Sequence, residues 1–147
     1  MEYKQLTEDS VIDYLKSVPE AQEALGDLDN LDIREIGDGN LNFVYFITNK
    51  SDARKTAVLK QAVPFLRIVG ESWPLPKECM SFEIMALQNE GELTPKHVPE
   101  IFHASHDMSV VLMENLKDYP VLRGQMNEGK YFPHLAEHVS TFLAKNL

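Results

Sequence analysis

The chain has 147 residues, of which 44% are hydrophobic and 25% charged, enough for one domain with a buried core. Its formal net charge of −9 argues against nucleic acid or an anionic membrane surface as the main partner, since both select basic patches. No apolar run approaches the ~18 residues that span a bilayer. The segment Met1-Glu2-Tyr3-Lys4-Gln5 lacks the basic start and apolar stretch of a signal peptide. Cys79 is the single cysteine, so no internal disulfide forms, and a reducing, cytoplasmic setting is expected.

In chain order, Thr7-Glu8-Asp9 opens a helix, with Thr7 as cap and acids in the first turn. Val11, Ile12, Leu15 and Val18 fall on one face, and Pro19 is expected to stop it. Residues 27–32 form an acidic connector. Strands are expected at Leu31 to Ile36, Phe43 to Ile47 and Thr56 to Gln61, joined by Gly37-Asp38-Gly39-Asn40 and by Asn49-Lys50-Ser51-Asp52. Short turns make the three an antiparallel meander. An irregular segment is expected from Pro64 to Pro76. A helix follows from about Lys77 to Asn89, with Met80, Ile84 and Leu87 inward and Gly91 ending it. Glu100 to Ala104 and Val110 to Met113 read as two more strands around a turn at His106-Asp107. The last helix begins near Pro133, with Leu135, Val139, Phe142 and Leu143 on one face. No stop signal precedes Leu147, and the chain is expected to be a fragment.

Four segments carry chemistry. Gly37-Asp38-Gly39-Asn40 lies between two strands. A dinucleotide fold would need a helix after the glycines, and a Walker A loop would need Gly-Lys-Ser/Thr. What remains is a glycine hairpin covering phosphates, as in kinases. There, backbone amides point at phosphate oxygens, and glycine permits close approach and positive φ. Lys60 ends Ala57-Val58-Leu59-Lys60, similar to the kinase strand whose lysine reaches the α- and β-phosphates. Glu83 is the first choice for the helix carboxylate that positions this lysine, with Glu78 as the alternative. Glu114-Asn115-Leu116 follows an apolar strand, where kinases hold adenine on exposed backbone groups.

The run Gly37-Asp38-Gly39-Asn40-Leu41-Asn42-Phe43-Val44-Tyr45 resembles the phosphate loop of methylthioribose kinases. So do Leu59-Lys60-Gln61-Ala62-Val63-Pro64-Phe65-Leu66-Arg67, Gly70-Glu71-Ser72-Trp73-Pro74-Leu75, and Met113-Glu114-Asn115-Leu116 with Arg123-Gly124. The likeness runs through most of the chain. It implies an α+β, protein-kinase-like N-terminal lobe: a five-stranded antiparallel sheet with one packed helix and an extra N-terminal helix. It divides the chain into an ATP-binding lobe, residues 1–116, and the start of a second lobe, 117–147.

The implied parent activity is transfer of the ATP γ-phosphate to the 1-hydroxyl of 5-methylthioribose, in methionine salvage, with Mg2+ bridging phosphates. By the same likeness Asn40 and Lys60 contact ATP, Glu114 to Leu116 form the adenine connector, and the full-length enzyme is a homodimer. No His-x-Asp motif with a following Asn, and no Asp-Phe-Gly or Asp-x-Glu, occurs after Leu116. The catalytic aspartate and metal ligands are therefore expected outside this chain, which alone should not turn over. The rivals are an aminoglycoside- or choline-type phosphotransferase lobe and a non-catalytic nucleotide-binding module.

His134-Leu135-Ala136-Glu137-His138 matches an inverted zinc-protease pattern but reads better as a polar helix face. His103 and His106 read as surface residues beside a turn, and Cys79 as an ordinary helix cysteine.

Overall fold

Thr7 adopts an extended conformation and its amide donates to Ser10 Oγ at 2.8 Å, which starts α1 (Glu8–Lys16) in the computed structural model. The structure describes residues 2–37 and 41–147. Glu8 and Asp9 in the first turn and Lys16 in the last complement the helix dipole. Val11, Tyr14 and Leu15 are buried.

Pro19 does end the run, but it also opens a second helix, α2 (Pro19–Leu25). At the first helical position proline loses nothing, because its missing N–H would have no partner there. The expected single N-terminal helix is thus a pair.

Five strands follow the expected order: β1 (Leu31–Glu35), β2 (Asn42–Asn49), β3 (Thr56–Ala62) and, later, β6 (Ile101–Ser105) and β7 (Val110–Glu114). They form one antiparallel sheet in the order β1-β2-β3-β7-β6. The segment expected to be irregular instead holds a small antiparallel ribbon, β4 (Phe65–Leu66) with β5 (Gly70–Pro74).

Helix α3 (Cys79–Leu93) runs through Gly91 rather than stopping at it. The stop is Thr94, whose amide and hydroxyl both donate to the Glu90 carbonyl, at 2.6 and 3.0 Å. The chain ends in a short helix, α4 (Leu122–Asn127), which the sequence reading missed, and α5 (Leu135–Asn146).

Because strand side chains alternate, the sheet has two distinct faces. Tyr45, Ile47, Ala57, Leu59, Val110 and Leu112 point to one and pack against Val11, Leu15, Ala21 and Leu25 of α1 and α2. Ala62 and Val111 point to the other and pack against Met80 and Ile84 of α3. The larger core therefore lies beneath the N-terminal helices and the smaller one beneath α3.

Gln61, fully buried in β3, ties the N-terminal segment to the sheet. It donates to the Lys4 and Met108 carbonyls at 2.9 and 3.1 Å and accepts from the Leu6 amide at 2.8 Å. A buried amide with each polar atom engaged costs little and fixes one arrangement.

Candidate functional site

Pairing across the sheet decides which side chains share a face. In β2 and β3, Val44 lies opposite Lys60 and Phe46 opposite Val58. In β3 and β7, Lys60 lies opposite Val111 and Val58 opposite Met113. Directly opposed residues project to the same side. Val44, Phe46, Val58, Lys60 and Met113 are therefore together on the face that α3 covers.

That cover is partial. Helix α3 seals the side around Ala62, Val111 and Ile101. Phe46 is left 41% exposed, and Val44 and Met113 half-buried. The result is an open apolar shelf that ends at an ammonium group.

Lys60 Nζ sits 2.6 Å from Glu83 Oε1 and 2.9 Å from Oε2. Its side chain is 24% exposed and that of Glu83 32%. Glu83 is aimed at the strand by its place in α3, between the buried Met80 and Ile84. Glu78, the other candidate, is exposed at the N-cap of the same helix. A half-buried, twice hydrogen-bonded pair of this kind fixes the direction of the lysine while leaving it within reach of a third, anionic group.

The β1–β2 connection contains the glycine segment. The Ile36 amide donates to the Val44 carbonyl at 2.8 Å, which closes the hairpin just before Gly37. Gly37 is exposed, its φ is outside the left-handed region, and an added Cβ would meet nothing within 4 Å. A positive φ is therefore not what this position requires. Asp38, Gly39 and Asn40 lie outside the described residues.

Three contacts behind this hairpin escaped the sequence reading. Arg67, just after β4, pairs with Glu35 at the end of β1 and donates to the Asn42 carbonyl at 3.0 Å. Its guanidinium carbon stands 3.9 Å from the centroid of the Phe43 ring. The apolar shelf was missed as well, although alternate residues of β2 and β3 in phase with Lys60 would have marked it.

In the connector the Glu114 amide is committed to the Glu100 carbonyl at 2.8 Å, and Glu114 Oε2 accepts from the Glu100 amide at 3.3 Å. Asn115 Nδ2 donates to Thr56 Oγ1 at 2.9 Å. Leu116 is 42% exposed, and its carbonyl accepts from the Tyr119 amide at 2.9 Å. A hollow of about 770 Å3 lies behind the connector, between the end of α3 and Glu114, and Lys60 is not in its lining.

Among the described residues no group of three or more His, Cys, Asp or Glu side chains could hold a metal ion, and no helix is long and apolar enough to cross a membrane. His134, the N-cap of α5, and Glu137 in its first turn are exposed. His103, read as a surface residue, is instead engaged, with Nε2 3.2 Å from the Tyr14 hydroxyl.

No protein-family model matches the chain. It is similar along its length to curated proteins, however. Methylthioribose kinase 2 of Oryza sativa subsp. japonica is 43% identical over 147 residues, 99% of this chain and 34% of that protein. A methylthioribose kinase of Bacillus velezensis is 37% identical over 145 residues, 99% of this chain and 36% of that protein. One of Exiguobacterium sibiricum is 42% identical over 113 residues, 77% of this chain and 28% of that protein. The chain spans about a third of the length of the curated relatives it matches.

Proposed function

We propose that this chain, which belongs to the methylthioribose kinase family, is the ATP-binding part of an enzyme that transfers the ATP γ-phosphate to the 1-hydroxyl of 5-methylthioribose. The observation that carries the reading is the Lys60–Glu83 pair at the edge of an open apolar shelf. Val44, Phe46 and Met113, backed by the buried Val58, offer a purine the flat apolar contact it needs. Glu114 and Asn115 turn their side chains to Glu100 and Thr56; with the Glu114 amide and the Leu116 carbonyl already paired, adenine is assigned to the remaining backbone groups of the connector and the exposed Leu116 side chain. Lys60 then neutralises phosphate charge, and Glu83 keeps its ammonium aimed. The phosphate-covering role is assigned to Gly37, Asp38, Gly39 and Asn40 on the family likeness.

The work assigned to these groups is positioning and charge stabilisation, which dominate phosphoryl transfer. The described residues supply no acidic cluster for Mg2+. Its ligands and the catalytic base are assigned to the part of the curated relatives' length that this chain does not span. We divide the chain at 116/117, supported by the absence of buried residues in α4 and α5. A cytoplasmic homodimer is the family-based expectation for the whole enzyme.

The test is Lys60→Ala in the protein encoded by the complete reading frame. ATP-dependent phosphorylation of methylthioribose should fall by about 10²–10³-fold, the scale of losing one preorganised charge contact. The thermal midpoint should barely move. Near-normal turnover would remove Lys60 from the mechanism. Activity on an aminoglycoside or choline in place of the thiosugar would redirect the substrate assignment.

A further inference from the structure

We infer that Arg67 is a positioning residue that holds both ends of the phosphate-covering hairpin at a fixed separation; this rests on the nucleotide site proposed above. One guanidinium spans the hairpin root: it pairs with Glu35, the last residue of β1, and donates to the carbonyl of Asn42, the first residue of β2. The plane lies over Phe43, 3.9 Å from its centroid. Four-fifths of the Arg67 side chain is buried, with 19% exposed, and that of Glu35 is 28% exposed. A planar fork holds its donors in fixed directions toward a carboxylate and a carbonyl while its plane lies on a ring; an ammonium has three donors but no plane to stack.

The location explains why the role is indirect. Phe43 alternates with Val44 along β2, so it projects to the face opposite Lys60, where it packs on the core beneath α1 and α2. Arg67 therefore braces the hairpin from behind and does not share the lysine's face. It is also seven positions beyond Lys60 on the same stretch of chain, past β3 and β4. The hairpin and the phosphate-gripping lysine thus hang on one support. Loosening it should change how the hairpin meets the nucleotide and leave the thiosugar site alone.

The experiment compares Arg67→Met, Arg67→Lys and Lys60→Ala in the whole enzyme, with both substrates varied. Arg67→Met is expected to raise KM for ATP about tenfold, with kcat and KM for methylthioribose within about twofold. Arg67→Lys keeps a charge for Glu35 but loses the fork and the ring contact, so its KM for ATP should fall between wild type and Arg67→Met. Should Arg67→Met fail to fold, Glu35→Gln takes its place and should raise KM for ATP in the same sense. An unchanged KM for ATP in a folded variant, or an equal rise in both KM values, overturns the inference. Lys60→Ala separates the two readings: if it stays active the site assignment fails, and if it is inactive while Arg67→Met is normal only the Arg67 role fails.

Discussion

Tyr45 is fully buried in β2, and its hydroxyl donates to the Leu6 carbonyl at 2.8 Å. Burial, followed by the charge of Glu35, pushes its pKa up to about 12, with Arg67 opposing. A phenol whose folded pKa exceeds the ordinary 10 stabilises the fold fully below pH 10, and that contribution is lost as pH rises through 12. Tyr45→Phe should therefore be less stable than wild type near pH 8 by about 1–2 kcal/mol, the cost of leaving Leu6 unpaired. The difference should shrink between pH 10 and 12, and urea midpoints across that range check it. Lys60 could be singled out because it follows the apolar run Ala57-Val58-Leu59 downstream of a glycine turn. The choice between Glu83 and Glu78 could not be fixed from sequence, since it depends on where α3 starts and how Met80 and Ile84 set its rotation. Arg67 was hidden because its partners lie 25 and 32 positions away, and no local pattern encodes a contact at that distance.

Among elements, the N-terminal helix pair turns on two residues of special backbone character. Pro19 suits the first position of α2, and Gly26 closes that helix at φ 75° and ψ −126°, a region open to few residues but glycine. An added Cβ would stand 2.8 Å from Lys55 Nζ, the movable end of a long side chain, so the backbone sets the cost. Gly26→Ala is expected to destabilise by about 1–3 kcal/mol in chemical denaturation. A loss below about 0.5 kcal/mol, the noise of a surface change, would show that the turn relaxes into an ordinary conformation. The five sheet strands were readable because β-branched and aromatic residues fill them between turn signals. Helix α2 was not, as seven residues give too few periods to outweigh a proline. The β4–β5 ribbon and the six-residue α4 fail for the same reason of length.

At the level of the whole molecule, the larger core and the candidate site occupy opposite sides of one sheet. The core under α1 and α2 rests on Tyr45, Ile47, Leu59 and Leu112, while Lys60 and the apolar shelf face the less covered side. Alternation along β3 produces this split from one stretch of sequence. Burial is also uneven along the chain: α4 and α5 contain no buried residue, and Val121, Met126, Val139 and Leu143 are exposed. The contacts that fasten α5 include a hydrogen bond from Asn146 Nδ2 to Thr94 Oγ1, at 3.0 Å, and the His138 and Phe142 rings, 5.6 and 6.3 Å from that of His97. Helices under ~12–15 residues are marginal in water without an apolar face packed away. In the 147-residue chain, amides of α4 and α5 should exchange with solvent at least ~10²-fold faster than those of β3. Peptide-level hydrogen exchange reads this directly. Equal protection in α5 and β3 would mean that the exposed side of α5 is covered in solution, and a concentration dependence of that protection would then identify a second copy as the cover.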